Sequence, residues 1–172
     1  IQLKKGQKIN LSKEKKGLSI VRVGLGWDEA KPKSGGILSG LISMFTTATI
    51  DCDAFAILLE NGRYVREDDT VYFGRLKHDS GAVRHMGDNL TGAGDGDDET
   101  IEMNLSNLPM SVTNILVGVT IYRGGQKNQS FKDIDNTFIR IYDKVTGIEI
   151  CRYDDQFKTT FGNSQTLLFA IL

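Results

Sequence analysis

SIVRVGLGW, residues Ser19–Trp27, decides the fold. Val21, Val23, Leu25 and Trp27 fall on every second position, and the residues between them are polar or small. Successive side chains of a strand point to opposite faces, so this alternation is typical of a strand with one buried face. The stretch therefore predicts a strand that packs its apolar face against a second layer.

Similar apolar patterns recur along the chain, and turn signals such as Asn61-Gly62, Ser80-Gly81 and Thr146-Gly147 separate them. They predict strands at Asp51–Leu59, Thr70–Lys77, Ile101–Leu105, Asn114–Tyr122, Asn136–Asp143, Glu149–Tyr153 and Gln165–Leu172. Seven or eight short strands at this spacing predict an all-β fold, an antiparallel two-sheet β-sandwich with short helical insertions. The 172 residues show no internal repeat and no linker, so we expect a single domain over 1–172.

One charge-free segment departs from the strand pattern. Ser34–Thr47 places apolar residues at helical spacing, namely Ile37, Leu38, Leu41, Ile42 and Phe45. The segment predicts a short helix or an apolar flap. It either packs on its own domain, docks on a partner or a membrane face, or is mobile.

Charge and cysteine usage limit the function classes. The net charge of −1 gives no general case for nucleic acid binding, although residues 1–17 are rich in lysine and residues 85–122 carry six acids and no lysine or arginine. Cys52 and Cys151 lie far apart and fit no zinc spacing, so we interpret them as buried free thiols in a reducing compartment. No apolar run reaches the length of a membrane span and no signal peptide is visible, which disfavours export.

The segment Gly87–Glu99, GDNLTGAGDGDDE, concentrates carboxylates between glycines. Its acids repel one another unless a cation lies among them, and hard cations such as Ca²⁺ prefer oxygen ligands. Its acids and its side-chain amide are Asp88, Asn89, Asp95, Asp97, Asp98 and Glu99. The pattern is not that of an EF-hand loop, and an acidic solvated turn is the alternative interpretation.

Two further acids, Asp51 and Asp53, lie on one face at the start of a predicted strand, where a loop could close over them. Asp28 follows Trp27 and is a third candidate from another strand end. If these acids reach the Gly87–Glu99 loop, the site is built from non-local pieces. Strand capping or simple solvent exposure is the alternative.

Enzymatic motifs are weak or missing from the sequence. The glycine-rich run lacks the lysine of a phosphate-binding loop, and no serine or zinc hydrolase motif is present. His78 and His85 have no cysteine or nucleophile motif near them, so we interpret both as structural. We therefore expect a protein without catalytic activity, with a metal-dependent hydrolase as the alternative.

Several motifs together resemble the TerD family of tellurium-resistance and general stress proteins. They are VGLGWD at Val23–Asp28, DCDA at Asp51–Ala54, HMGDNLTG at His85–Gly92, GDDE at Gly96–Glu99, IY at Ile121-Tyr122, NQSF at Asn128–Phe131, NTFIR at Asn136–Arg140 and EICRYD at Glu149–Asp154. The resemblance covers nearly the whole chain in the same order.

The resemblance implies a cytoplasmic, non-catalytic stress module that binds Ca²⁺ and acts through protein or membrane-surface interactions. Its partners would be other stress-operon proteins or a complex at the inner face of the membrane, with no nucleic acid. A metal-dependent protein that binds a small ligand or nucleotide is the alternative. By motif position, the metal ligands would come from Asp28, Asp51, Asp53, Asp88, Asn89, Asp95, Asp97, Asp98 and Glu99.

Three departures from the family pattern carry expectations of their own. Ser34–Thr47 looks like an insertion, and Arg123 stands where many relatives carry an acid, which would remove one metal ligand. The chain stops at Leu172, before the terminal strand and helix that relatives usually have. An open sheet edge there would let two copies pair into a homo-oligomer.

Overall fold

A computed structural model describes residues 1–4, 7, 10, 14, 16–29, 49–92, 96–154 and 157–172. The predictions made for Ser34–Thr47 and for Asp95 lie outside these residues.

The described residues form two antiparallel sheets, which confirms the predicted sandwich. The strands are β1 Ile20–Glu29, β2 Cys52–Glu60, β3 Thr70–Val71, β4 Val83–His85, β5 Glu99–Asn104, β6 Val112–Ile121, β7 Ile134–Asp143, β8 Glu149–Tyr153 and β9 Thr166–Ile171. One sheet has the order β4-β5-β1-β7-β8 and the other the order β3-β2-β6-β9. Consecutive strands β1 and β2 therefore lie in different sheets.

Short helical turns connect the strands. α1 spans Gly124–Lys127 and α2 spans Phe157–Phe161, while single 3-10 turns form at Glu67–Asp69, Leu105–Asn107 and Phe131–Asp133. Within the described ranges, no helix combines the length and apolar character needed to cross a membrane.

The predicted strand Thr70–Lys77 is too long. Only Thr70 and Val71 pair with β2, after which Tyr72 and Arg75 exchange two backbone hydrogen bonds and reverse the chain. Gly74 permits this turn because a Cβ there would lie 2.7 Å from the Tyr72 ring. The returning chain turns again at Gly81 and pairs with β4, whose three residues are too few to produce a period-two signal.

The core lies between the sheets. The four alternating side chains of β1 that predicted the fold are all no more than 3% exposed, and the apolar residues of β2, β5, β6 and β7 pack against them. Cys52 and Cys151 are buried free thiols in this core, as predicted. Such burial of apolar surface is the main stabilising term of a sandwich of this size.

The two sheets are linked by polar contacts at one end of the sandwich. The Trp27 indole on β1 donates to the carbonyl of Ile50, 3.1 Å away, just before β2. The backbone N–H of Ala54 on β2 donates to Glu99 Oε2 on β5, 2.6 Å away. The β4–β5 connection contains the acidic loop, Gly87–Glu99, and the described residues of this loop pass at the same end.

Candidate metal centre

Three carboxylates from two separate parts of the chain converge at this end. Asp51 and Asp53 project from the start of β2, and Asp88 comes from the β4–β5 connection. One oxygen from each of the three lies within 4.8 Å of the other two. Asp51 and Asp53 are 8% and 2% exposed, whereas Asp88 is exposed, so the cluster opens to solvent on the Asp88 side.

Two buried carboxylate oxygens of this cluster lack hydrogen-bond partners among the described residues. They are Asp51 Oδ1 and Asp53 Oδ2. Burial raises the pKa of Asp53 to about 8, and the negative charges of Asp51, Glu99 and Asp88 act in the same direction. Burial, followed by the charge of Asp88, also raises the pKa of Asp51. A buried, unpaired carboxylate costs folding free energy, so this cluster is electrostatically suited to a cation.

Glu99 lies beneath the cluster. One of its oxygens accepts from Ala54 N–H at 2.6 Å and lies 3.3 Å from Nε2 of the buried His85. Burial raises the pKa of Glu99 and the neighbouring Asp88 adds to this, while His85 and the Ala54 N–H oppose it. Glu99 is thus anchored to both sheets and lies next to Asp88.

Asp98 and Asn89 hold the acidic loop on β1. Asp98 Oδ2 accepts from the backbone N–H of Trp27 at 2.9 Å, and its Oδ1 accepts from Asn89 Nδ2 at 2.9 Å. The Asn89 side-chain oxygen in turn accepts from the N–H and the hydroxyl of Thr91. Both side chains therefore order the chain near Asp88 through hydrogen bonds of their own.

Asp97 and Asp28 point to other partners. Asp97 accepts two parallel hydrogen bonds from Arg140 of β7, at 2.7 and 3.0 Å. Gly24 leaves room for this pair, because a Cβ there would lie 2.3 Å from the Asp97 carboxylate. Asp28 is exposed and accepts from Asn136 Nδ2 at 2.6 Å.

Of the nine predicted ligands, the structure brings Asp51, Asp53 and Asp88 together and places Glu99 beside them. Asn89, Asp98, Asp97 and Asp28 form the hydrogen bonds just described. Sequence reasoning missed the partners of these groups, Arg140 and His85. The signal for Arg140 is weak, because its contact with Asp97 spans 43 residues and depends on the pairing of β1 with β7.

A family model described as TerD domain matches residues 1–172. Stress response protein SCP2 of Bacillus subtilis (strain 168) is 43% identical over 154 residues, which cover 90% of this chain and 76% of that protein. Tellurium resistance protein TerZ of Serratia marcescens is 45% identical over 154 residues, which cover 89% of this chain and 74% of that protein.

Solved structures share the fold. The crystal structure of a TerD homologue from Streptomyces coelicolor A3(2) matches with a TM-score of 0.66 at 24% identity, over 90% of this chain and 80% of that one. The family match, together with relatives named for tellurium resistance and stress response, places this sandwich among the tellurium-resistance and stress-response proteins. The chain belongs to the TerD family.

Proposed function

We propose that this protein is a calcium-dependent stress-response module in which the ion joins β2 to the acidic loop. Asp51, Asp53 and Asp88 would hold the ion, and the buried Glu99 carboxylate would lie next to Asp88. The observation that carries the proposal is the pair of buried oxygens on Asp51 and Asp53, which have no hydrogen-bond partner in the described residues. A divalent cation would compensate both charges at once.

The donor set favours a hard cation. All three converging side chains offer oxygen, and His85 is directed to Glu99 instead. Ligands on opposite sides of Ca²⁺ lie up to about 5 Å apart, whereas those of Mg²⁺ lie about 4 Å apart. The cluster spans up to 4.8 Å and opens to solvent, which suits the larger ion and its flexible coordination.

The ion would act on stability and thereby on interaction. Since Asp51 directly precedes β2, Asp53 belongs to it and Asp88 lies in the β4–β5 connection, one ion would fix two parts of the chain that are distant in the sequence. At a free concentration of 100 times Kd, binding to the folded state alone adds about 2.7 kcal/mol to the free energy of unfolding. We propose that the ordered module then contacts other stress proteins or a membrane-associated complex in the cytoplasm, without catalysing a reaction.

A calcium titration of metal-free protein tests this proposal. Calorimetry is expected to show saturable binding of Ca²⁺, with Mg²⁺ competing weakly, and thermal unfolding to shift upward with calcium. Asp88→Asn is the sharpest variant, because Asp88 is exposed and its substitution leaves the core intact. It should weaken calcium binding by about tenfold or more.

The matched control is Asp79→Asn, an exposed acid whose described partner is Arg75 on the surface. This variant should bind calcium as the parent protein does. Equal weakening in both variants would indicate a general effect of surface charge, and absence of saturable binding in the parent protein would rule out the proposal.

A further inference from the structure

A basic and aromatic turn lies directly beside the carboxylate cluster. The backbone N–H of Tyr122, the residue that follows β6, donates to the carbonyl of Asp51 at 2.8 Å. α1 begins two residues later and carries Lys127. The ammonium of Lys127 lies 5.5 Å from the centre of the Tyr122 ring, so it lies at the same end of the sandwich as Asp51.

Lys127 acts on the cluster without forming an ion pair there. Burial raises the pKa values of both Asp51 and Asp53, and the positive charge of Lys127 offsets a small part of this effect. Among the described residues its contact is with the Tyr122 ring, and its side chain is exposed. A lysine is a mobile point charge on a flexible stem, so this ammonium is available to a ligand that arrives from solvent.

The backbone of this turn is held in an uncommon conformation. Arg123 has a φ of 54° and Asn128 a φ of 58°, both in the left-handed region that most side chains avoid. Hydrogen bonds from Lys127 N–H to Arg123 O and from Gln129 N–H to Gly124 O close the turn between them. The fold therefore fixes Lys127 one helical turn after Arg123, whose guanidinium lies 5.1 Å from the centre of the same ring.

The cluster itself would leave the ion incompletely coordinated. Ca²⁺ takes six to eight oxygen ligands, and the described residues bring three carboxylates together. The solvent side, where Asp88 is exposed, is open to oxygens from a ligand. Phosphate has several oxygens at fixed angles, so one group can bind the ion and a lysine ammonium simultaneously.

We propose that the ion at Asp51, Asp53 and Asp88 and the ammonium of Lys127 together bind a phosphate group. This inference rests on the proposed calcium site and names its ligand class. The two buried oxygens of Asp51 and Asp53, which have no hydrogen-bond partner among the described residues, mark the position of the cation, and Lys127, whose ammonium lies against the Tyr122 ring next to Asp51, marks the side from which the anion approaches. The phosphate is carried either by a small soluble ester or by a lipid headgroup, since both present the same chemistry.

Two probes separate these sources. Glycerol 3-phosphate represents the soluble ester, and phosphatidylcholine vesicles that contain phosphatidic acid represent the headgroup. Calorimetry and vesicle co-sedimentation are carried out with calcium and with a chelator. Binding of one probe that requires calcium supports the site and identifies the source of the phosphate group. Binding that persists in the chelator contradicts the bridging role of the ion.

Lys127→Gln tests the anion side, with Lys132→Gln as the matched control on an exposed lysine. Lys127→Gln should weaken binding of the phosphate probe by about tenfold, and Lys132→Gln should leave it within about twofold. Calcium affinity itself should stay equal or rise in Lys127→Gln, because a repelling charge has been removed. Retained phosphate affinity in this variant would overturn the assignment of Lys127.

The failures of the two proposals are distinguishable. A protein that binds no calcium contradicts the proposed function. A protein that binds calcium but neither phosphate probe contradicts only this inference. Acetate serves as a second control, because equal binding of acetate would show that any carboxylate or phosphate completes the site.

Discussion

Asp53 and Asp69 are buried to the same degree, at 2% and 1% exposure, yet their surroundings differ in every other respect. Asp69 Oδ2 accepts from the backbone N–H of Arg66 at 3.1 Å, and its Oδ1 accepts from the Arg66 guanidinium at 2.8 Å and lies 3.3 Å from His78 Nε2. Burial opposes ionisation of Asp69, but the bonds from Arg66 and His78 outweigh it and lower its pKa. Asp53 Oδ2 has no such partner in the described residues, and its pKa is about 8.

The comparison indicates that burial of an acid alone does not favour a cation, whereas burial of a carboxylate without a hydrogen-bond partner does. Asp69 belongs to a local network that continues through His78 Nδ1 to the Ser80 hydroxyl, 2.7 Å away. This network closes the chain between the 3-10 turn Glu67–Asp69 and β4, which is a structural role. Asp53 lacks a structural partner of this kind, so its charge is available to a cation.

The largest expected effect is on the partnered aspartate. Asp69→Asn removes the charge that Arg66 and His78 stabilise and deprives the buried His78 ring of its carboxylate partner. We expect a loss of about 3 kcal/mol in the free energy of unfolding, equal with and without calcium. Urea denaturation in both conditions measures this. A loss confined to the calcium-free state would link Asp69 to the ion and end the contrast.

The unpartnered aspartate should respond in the opposite direction. Asp53→Asn removes a group that, with a pKa of about 8, must take up a proton to be buried at neutral pH in metal-free protein, so the variant should be more stable than the parent by roughly 1–2 kcal/mol in a chelator. It should also lose most of the stabilisation by calcium. Thermal unfolding of both proteins in chelator and in calcium measures the two effects, and destabilisation in the chelator would contradict the interpretation.

Most of the fold was accessible from the sequence because it depends on local alternation. The apolar side chains of Val21, Val23, Leu25 and Trp27 recur on β1 with a period of two, and the structure buries all four. The period-two signal failed at Thr70–Lys77, where a turn at Gly74 interrupts the pattern, and at β4, which is only three residues long. Both errors concern segments in which too few residues alternate for the pattern to show.

The site was accessible only in part, because residue type predicts which side chains can bind a cation but not which are already paired. By residue type, Asp97 is as good a candidate ligand as Asp51, Asp53 and Asp88. Asp97 is paired instead, because the register of β1 with β7 brings Arg140 to it. Pairings between distant strands depend on the whole topology, and no local pattern in the sequence encodes them. The bunched carboxylates of the loop therefore predicted more ligands than the described geometry assembles.

The dependence of stability on pH provides a third test of the contrast. Asp53 has a pKa of about 8 when folded and an ordinary value of 3.8, so the folded state holds the extra proton between these limits. Metal-free protein should therefore lose stability as pH rises from about 4 to about 8, because the folded state holds a proton that the unfolded chain releases. Asp69 acts oppositely, because its lowered pKa stabilises the fold above pH 4 and this contribution is lost as pH falls through the folded value.

Thermal unfolding across this pH range in chelator and in calcium measures both effects. Calcium should reduce the loss of stability between pH 4 and pH 8, since the ion replaces the proton on Asp53. The loss of stability at acid pH, which comes from Asp69, should stay as it is. Stability that rises between pH 5 and pH 8 in the chelator would show that the cluster carries no uncompensated charge.

Asp97 provides the intermediate case and the smallest expected effect. Its side chain is 8% exposed and paired to Arg140, but the Arg140 side chain is 28% exposed and also lies 3.7 Å from Glu149. Asp97→Asn therefore leaves a guanidinium that water and Glu149 still solvate, so the expected loss is about 1 kcal/mol. This loss should be the same with and without calcium, because Asp97 contributes no oxygen to the three-carboxylate cluster.

The same variant tests whether the loop keeps its arrangement when the ion binds. If calcium affinity falls in Asp97→Asn as it does in Asp88→Asn, the Arg140 pair must open on binding and release Asp97 to the ion. Arg140→Gln separates the two cases. An opened pair predicts that this variant binds calcium more tightly, because Asp97 is then free from the start, whereas a retained pair predicts unchanged calcium affinity and the same small loss of stability.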